Sequence, residues 1–211
     1  MATETQVTIP VDGVELPGDL RHPDAPVGLV IFAHGSGSSR QSPRNQFVAE
    51  HLVKRGLAAL LFDLLTEAED RDREQRFDIP LLTDRLVAAR SWVADREPLA
   101  GHQVGYFGSS TGAAAALRAA GRAPGEIGAV VSRGGRVDLA SEVFESVRAP
   151  TRLIVGGADE QVLALNREAE ANLACETDLQ VIEGAGHLFE GEGELERVAE
   201  LAGDWFLEHL R

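Results

Sequence analysis

The chain is poor in several residue types, and each shortage removes a class of function. There is one cysteine, Cys175, so neither an internal disulfide framework nor a multi-thiolate metal site can be built. A reducing compartment suits that composition. Lys and Arg number 20 against 34 Asp and Glu, a formal charge of −14, which argues against nucleic acid or an anionic membrane as a standing partner. No run approaches the ~18 consecutive apolar residues of a membrane-spanning helix. The first residues also lack the basic start and apolar stretch of a targeting segment, so the cytoplasm is the expected location. The histidines are scattered, with no H-x-x-E-H or H-E-x-x-H spacing to hold zinc, and no metal is expected. The glycine-rich stretch from His34 to Ser39 has no lysine where a P-loop needs one.

What the chain does have is alternation of strand and helix over 211 residues, expected to form a single domain, 1–211. Residues 7–23 alternate apolar and polar with breaks at Asp12-Gly13 and Pro17-Gly18, and predict an edge hairpin. The apolar runs at 27–33, 58–62, 127–131 and 151–155 read as interior strands buried on both faces, and 179–182 as a last short one. Helical periodicity marks 45–55, a helix opened by Pro80, 162–174 and 195–210. The charge run 67–74 is too polar for core and predicts a solvated loop or short excursion. Gly121 and Pro124-Gly125 mark a turn. The interval 133–150 has room for one small helix, hence little cap. Buried strands joined by helices imply a mostly parallel sheet covered on both faces, a three-layer αβα sandwich.

One stretch carries chemistry. Val104, Tyr106 and Phe107 supply a strand that runs into Gly108-Ser-Ser110-Thr-Gly112 and at once into an alanine-rich helix. G-x-S-x-G between strand and helix is a nucleophile elbow: the serine takes a strained conformation at a sharp turn, and the small flanking residues let the two elements pass closely. A parallel sheet gathers the loops after its strands at one edge. There, Gly156-Gly-Ala-Asp159 follows one strand and Gly186-His187 follows the last, so Ser110, Asp159 and His187 stand in the chain order of α/β-hydrolases. Serine is a weak nucleophile near neutral pH, so His187 would take its proton, with Asp159 orienting the imidazole. Glu160 is the rival for that last role. Two backbone donors must meet the developing oxyanion. Thr111 is one, and the other comes from His34-Gly-Ser-Gly37, with Ser36 ahead of Gly35 and Gly37; His34 itself reads as a loop-shaping residue.

These motifs, His34-Gly-Ser-Gly37, Gly108-Ser-Ser110-Thr-Gly112, Gly156-Gly-Ala-Asp159 and Gly186-His187, resemble the small, cap-poor α/β-hydrolases similar to dienelactone hydrolase, over nearly the whole chain. The resemblance implies the α/β-hydrolase fold, no cofactor, Ser110, Asp159 and His187 as triad, and the amides of Ser36 and Thr111 as oxyanion hole. It implies a small-molecule ester or lactone substrate, and leaves acyl transfer, peptidase activity or a non-catalytic binding role as alternatives. Dienelactone hydrolase proper has cysteine where Ser110 stands, which speaks against dienelactone as substrate. Leu64, Leu65, Phe77, Arg133, Phe144, Leu188 and Phe189 are candidate pocket residues. Arg133 has two readings, a contact for a substrate carboxylate or a salt bridge to one of the many acids.

Overall fold

The computed structural model describes residues 2–211. β3 (Leu29–Ala33) and β4 (Ala58–Phe62) are buried at every position, as strands covered on both faces must be. β5 (Val104–Ser109), β6 (Ile127–Arg133), β7 (Thr151–Gly156) and β8 (Thr177–Ile182) complete the parallel part. β1 (Thr3–Val11) and β2 (Val14–His22) form an antiparallel hairpin, and β2 also pairs antiparallel with β4. The order across the eight strands is β1-β2-β4-β3-β5-β6-β7-β8. After β3 the chain crosses to β4 on one side and then back to β5 on the other. This reversal between β3 and β5 opens a crevice at their C-terminal ends.

Two apolar layers flank the sheet. On one face α4 (Ile79–Ala94) and α5 (Thr111–Arg122) pack over Ile31, Leu60, Tyr106 and Val130. On the other, α1 (Pro43–Lys54) and α7 (Glu194–His209) cover Val30, Leu61, Phe107 and Val131. α6 (Glu160–Asn172) lies against β7 and β8. Adjacent strand residues thus enter opposite cores, as the pleat requires. The arrangement is the three-layer α/β-hydrolase fold.

Several local expectations change. The hairpin starts at Thr3 rather than Val7, because the polar residues Thr3 to Gln6 lie on the exposed outer edge where no apolar signal is needed. Pro17-Gly18 is not a break. Pro17 sits in β2 just before its pairing with β4 begins at Gly18, so its missing N–H leaves no gap in that ladder. The charge run folds into two single turns, α2 (Glu67–Asp70) and α3 (Arg73–Arg76). A capping box between Thr66 and Glu69 starts the first, and Glu69 also holds the buried Arg85 of α4 at 2.9 Å. Gly121 lies inside α5, where the side chain of Val143 presses on it, rather than in a turn. The small helix after β6 is a 3-10 stretch, Val137–Val143.

Candidate active site

β5 delivers Ser110 to the crevice. The glycines on either side allow this because the strand and α5 almost touch. A Cβ on Gly108 would stand 2.7 Å from the Ala113 nitrogen, and one on Gly112 would collide with the Ala33 carbonyl and lie 2.7 Å from the His34 oxygen. Ser110 itself has φ 51° and ψ −120°, a left-handed conformation that side chains avoid. It occupies the N-cap position of α5, yet its hydroxyl makes no capping bond. A serine at that position ordinarily spends its oxygen on the helix N–H groups. The turned backbone keeps Oγ out of that role.

Asp159 shows the same pattern. It is the N-cap residue of α6 and makes no capping bond, because its carboxylate goes to His187. Oδ2 lies 2.6 Å from His187 Nδ1. Glu160, the alternative, is the first residue of α6 and is exposed. Two backbone bonds fasten the acid and histidine loops together, Gly157 N–H to Ile182 O at 2.8 Å and Ala158 N–H to Ala185 O at 2.9 Å. With Nδ1 directed to Asp159, Nε2 is the nitrogen left to act as base. The histidine side chain is 41% exposed and the aspartate 16%, so the pair faces outward from a mostly covered acid. Ser110 reaches His187 through the turn after β6. Its N–H donates to Arg133 O at 3.2 Å, its carbonyl accepts from Arg136 N–H at 3.0 Å, and Gly134 between them backs onto the imidazole. Among the described residues no hydrogen bond joins Ser110 Oγ to His187. Catalytic bonds commonly tighten only when substrate binds.

The glycine loop after β3 lies over the elbow, with Gly35 against Ser110: a Cβ there would be 3.1 Å from Ser110 Cβ. The Ser36 amide donates to Thr111 Oγ1 at 2.9 Å, so the two residues expected to flank the oxyanion are already joined to each other. His34 shapes the loop. Nδ1 bonds Gly35 O at 3.0 Å while Nε2 accepts from Leu64 N–H at 3.0 Å, and burial foremost pushes its pKa below the ordinary value. Two anchors were not anticipated. Asp63 accepts from Arg40 N–H at 2.7 Å and pairs with its guanidinium at 2.6 Å, tying the loop to the end of β4. Asn166, fully buried, donates to Gly135 O at 2.9 Å and holds the turn beside Ser110 from α6. A lone polar residue on the apolar face of a helix was the available signal for it.

The candidate pocket residues divide. Leu64, Phe144 and Phe189 are buried in the two apolar layers, at 0%, 6% and 2% exposure, and Phe144 also borders a cleft of about 420 Å³ against α6. Leu65 borders a cleft of about 410 Å³ beside His34 and Arg40. Phe77 and Leu188 are exposed at 49% and 43%, the latter directly after His187. Arg133 is buried at 9% exposure and has no ion pair among the described residues, which overturns the salt-bridge reading. Among the described residues no group of three His, Cys, Asp or Glu side chains is arranged to hold a metal, and no helix is long and apolar enough to cross a membrane.

A sequence model of the family described as the dienelactone hydrolase family matches residues 16–206. The chain belongs to the dienelactone hydrolase family. Among solved structures it is similar to a dienelactone hydrolase from Anabaena variabilis, with 50% identity, a TM-score of 0.97, and coverage of 100% of this chain and 99% of that one. The fold also matches Est1E of Butyrivibrio proteoclasticus at 17% identity and a TM-score of 0.81, over 96% and 98% of the two chains. Curated relatives include two Mycobacterium tuberculosis proteins provisionally named phosphoribosyl transferases. Each is 52% identical over 207 residues, covering 98% of this chain and 47% of the relative. The chain therefore spans about half the length of these curated relatives. The family and its fold are those of hydrolases.

Proposed function

We propose that this chain hydrolyses carboxylic esters, small or short-chain esters or lactones, through an acyl-enzyme on Ser110. The observation that carries the reading is the pair of N-cap residues that do not cap. Ser110 makes no side-chain bond to the helix it begins, and Asp159 gives its carboxylate to His187 instead of to α6. That arrangement gives up two helix caps, worth about 1 kcal/mol each, and its return is a serine beside an oriented imidazole.

In the reaction Ser110 Oγ attacks the ester carbonyl as its proton passes to His187 Nε2. The carbonyl oxygen gains negative charge and takes hydrogen bonds from the amides of Thr111 and Ser36, the latter turning from Thr111 Oγ1 to the stronger acceptor. The ester C–O bond then breaks, and the alcohol leaves with the proton from His187. Water repeats the sequence on the acyl-enzyme, giving a carboxylic acid and free Ser110. Asp159 remains ionised and stabilises the imidazolium at each step. The chemistry needs no cofactor. The phosphoribosyl transfer in the mycobacterial names is not part of this reading, since a serine, a His–Asp pair and a glycine loop are parts for acyl transfer.

A fluorophosphonate probe tests the reading. Ser110 should be labelled stoichiometrically, 4-nitrophenyl acetate should be turned over, and Ser110→Ala should lose both. Folded protein that takes no label would refute it.

A further inference from the structure

The side chains that follow Pro43 in the first turn of α1 each leave the helix for a different part of the site. Arg44 Nε donates to Leu188 O at 2.9 Å and its Nη2 to Glu190 Oε1 at 3.0 Å, so it grips the base loop directly after His187. Asn45 Oδ1 accepts from the Ser109 hydroxyl at 3.0 Å, directly before Ser110, and both partners are 2% exposed. Gln46 Nε2 donates to Arg40 O at 2.7 Å, in the loop that runs from Gly35 into the helix. Three consecutive residues thus reach the base loop, the nucleophile strand and the oxyanion loop.

The turn that makes these bonds is itself anchored. Val48, Ala49, Leu52 and Val53 seat α1 in the core it shares with α7, and Ser42 Oγ accepts from Asn45 N–H at the helix start. The grip on the base loop also spans a strained residue. Phe189 lies between the two groups that Arg44 holds, has φ 54°, and is buried at 2% exposure. A bulky residue in the left-handed region persists only where its surroundings hold it there. Among the described residues no hydrogen bond joins Ser110 Oγ to His187, so the distance between them is set by their supports. The turn after β6 is one support, and α1 is a second that shares no bond with it.

We infer that Arg44, Asn45 and Gln46 are positioning residues, which together set how Ser110 stands relative to His187 and to the oxyanion donors. The inference rests on the ester-hydrolase reading and adds to it the element that fixes its geometry. Their bonds go to neighbours of the reacting residues rather than to the reacting atoms. A misplacement of about 1 Å can cost about 100-fold in rate, so loss of a grip should be read in kcat rather than in binding.

The test measures 4-nitrophenyl acetate turnover, the rate of fluorophosphonate labelling and the melting temperature in wild type, Arg44→Met, Asn45→Leu, Gln46→Leu and the double variant of the first two. Each single variant should lose roughly 10- to 100-fold in kcat, with KM within about twofold and labelling slowed in parallel. The double variant should lose far less than the product of its single losses, because both bonds hold one span. Val53→Ala loosens the far end of α1, and should lower the melting temperature while kcat stays within about twofold. If Asn45→Leu does not fold, Ser109→Ala cuts the same bond from the strand side and takes its place. Unchanged kcat in the folded single variants, a loss confined to KM, single losses that multiply in the double variant, or an equal fall in kcat in Val53→Ala would overturn the inference.

Amide hydrogen exchange reads the grip without turnover. The amides of 187–190 should exchange at least about tenfold faster in Arg44→Met, and those of 36–40 in Gln46→Leu, while α7 keeps its wild-type rates. If wild type neither turns over the ester nor takes the label, the hydrolase reading fails by itself and the exchange rates decide whether α1 holds the loops. Exchange that is unchanged in both variants refutes the inference whether or not the protein is active.

Discussion

If the Ser110 conformation is strained, replacing serine by glycine should stabilise the protein relative to alanine. Both substitutions delete the hydroxyl, so the comparison isolates the Cβ. At φ 51° and ψ −120° that Cβ is forced against the backbone, a strain of about 1–3 kcal/mol. Glycine removes it but gains freedom in the unfolded chain, a penalty of about 0.4–1 kcal/mol. Loss of Cβ contact with Gly35 adds little, since Ser110 is half-buried and the space opens toward the crevice. The balance favours glycine by about 1 kcal/mol, with an upper limit near 2.5 kcal/mol, which for a chain of this size is about 2–4 °C in melting temperature per kcal/mol. Differential scanning calorimetry on Ser110→Gly and Ser110→Ala measures it directly. A glycine variant that melts at or below the alanine variant would show that the turn is unstrained.

The opposite behaviour is expected at Gly112, where an added methyl group meets the Ala33 carbonyl of a central strand. Gly112→Ala should cost about 3 kcal/mol or more in urea denaturation, and a loss below about 0.5 kcal/mol would mean that strand and helix can separate at the elbow. His34 makes a pH-dependent contribution. Its folded pKa lies below the unfolded value of 6.5, so its stabilising effect is whole above pH 6.5 and is lost as pH falls toward the folded value, when protonation breaks the Leu64 N–H to Nε2 bond. The melting temperature should therefore fall less steeply below pH 6.5 in His34→Gln than in wild type; equal slopes would refute this.

Much of the site was legible because its parts lie at the ends of strands that announce themselves. Leu29–Ala33 and Ala58–Phe62 are apolar throughout, which only burial on both faces explains, and parallel strands so placed bring Ser110, Asp159 and His187 to one edge. The pocket was not legible in the same way. Hydrophobicity is common to core and pocket wall, so Leu64, Phe144 and Phe189 could not be told from Leu65 and Leu188 until helix packing placed them. The turns at Glu67–Asp70 and Arg73–Arg76 were hidden for a related reason, since a capping box is a weak signal within a charge run and the anchoring bond to Arg85 is tertiary. Arg133 had two readings from sequence. Only the placement of every carboxylate in space separates a paired arginine from an orphaned one.

The fastening of the loops explains how the acid–base pair is held together. Asp159 and His187 sit on loops bonded to each other through Ala158 N–H and Ala185 O, and a Cβ on Gly156 would collide with that same carbonyl, so the two loops have one way to pack. Ser110 is held on both its backbone groups by the turn at Arg133 to Arg136, and that turn is pinned by Asn166 from α6 and by Gly134 N–H to Ile154 O at 2.8 Å. All but the Asn166 bond join a strand end to its neighbour, so the reacting groups inherit the rigidity of the sheet, the condition under which fixed dipoles accelerate a reaction without reorganising. Leu188 lies outside this web, exposed at 43%. On the ester-hydrolase reading proposed above, substitution at Leu188 should shift relative rates across an ester panel, whereas a change at Gly156 or Asn166 should lower the rates on all of them alike.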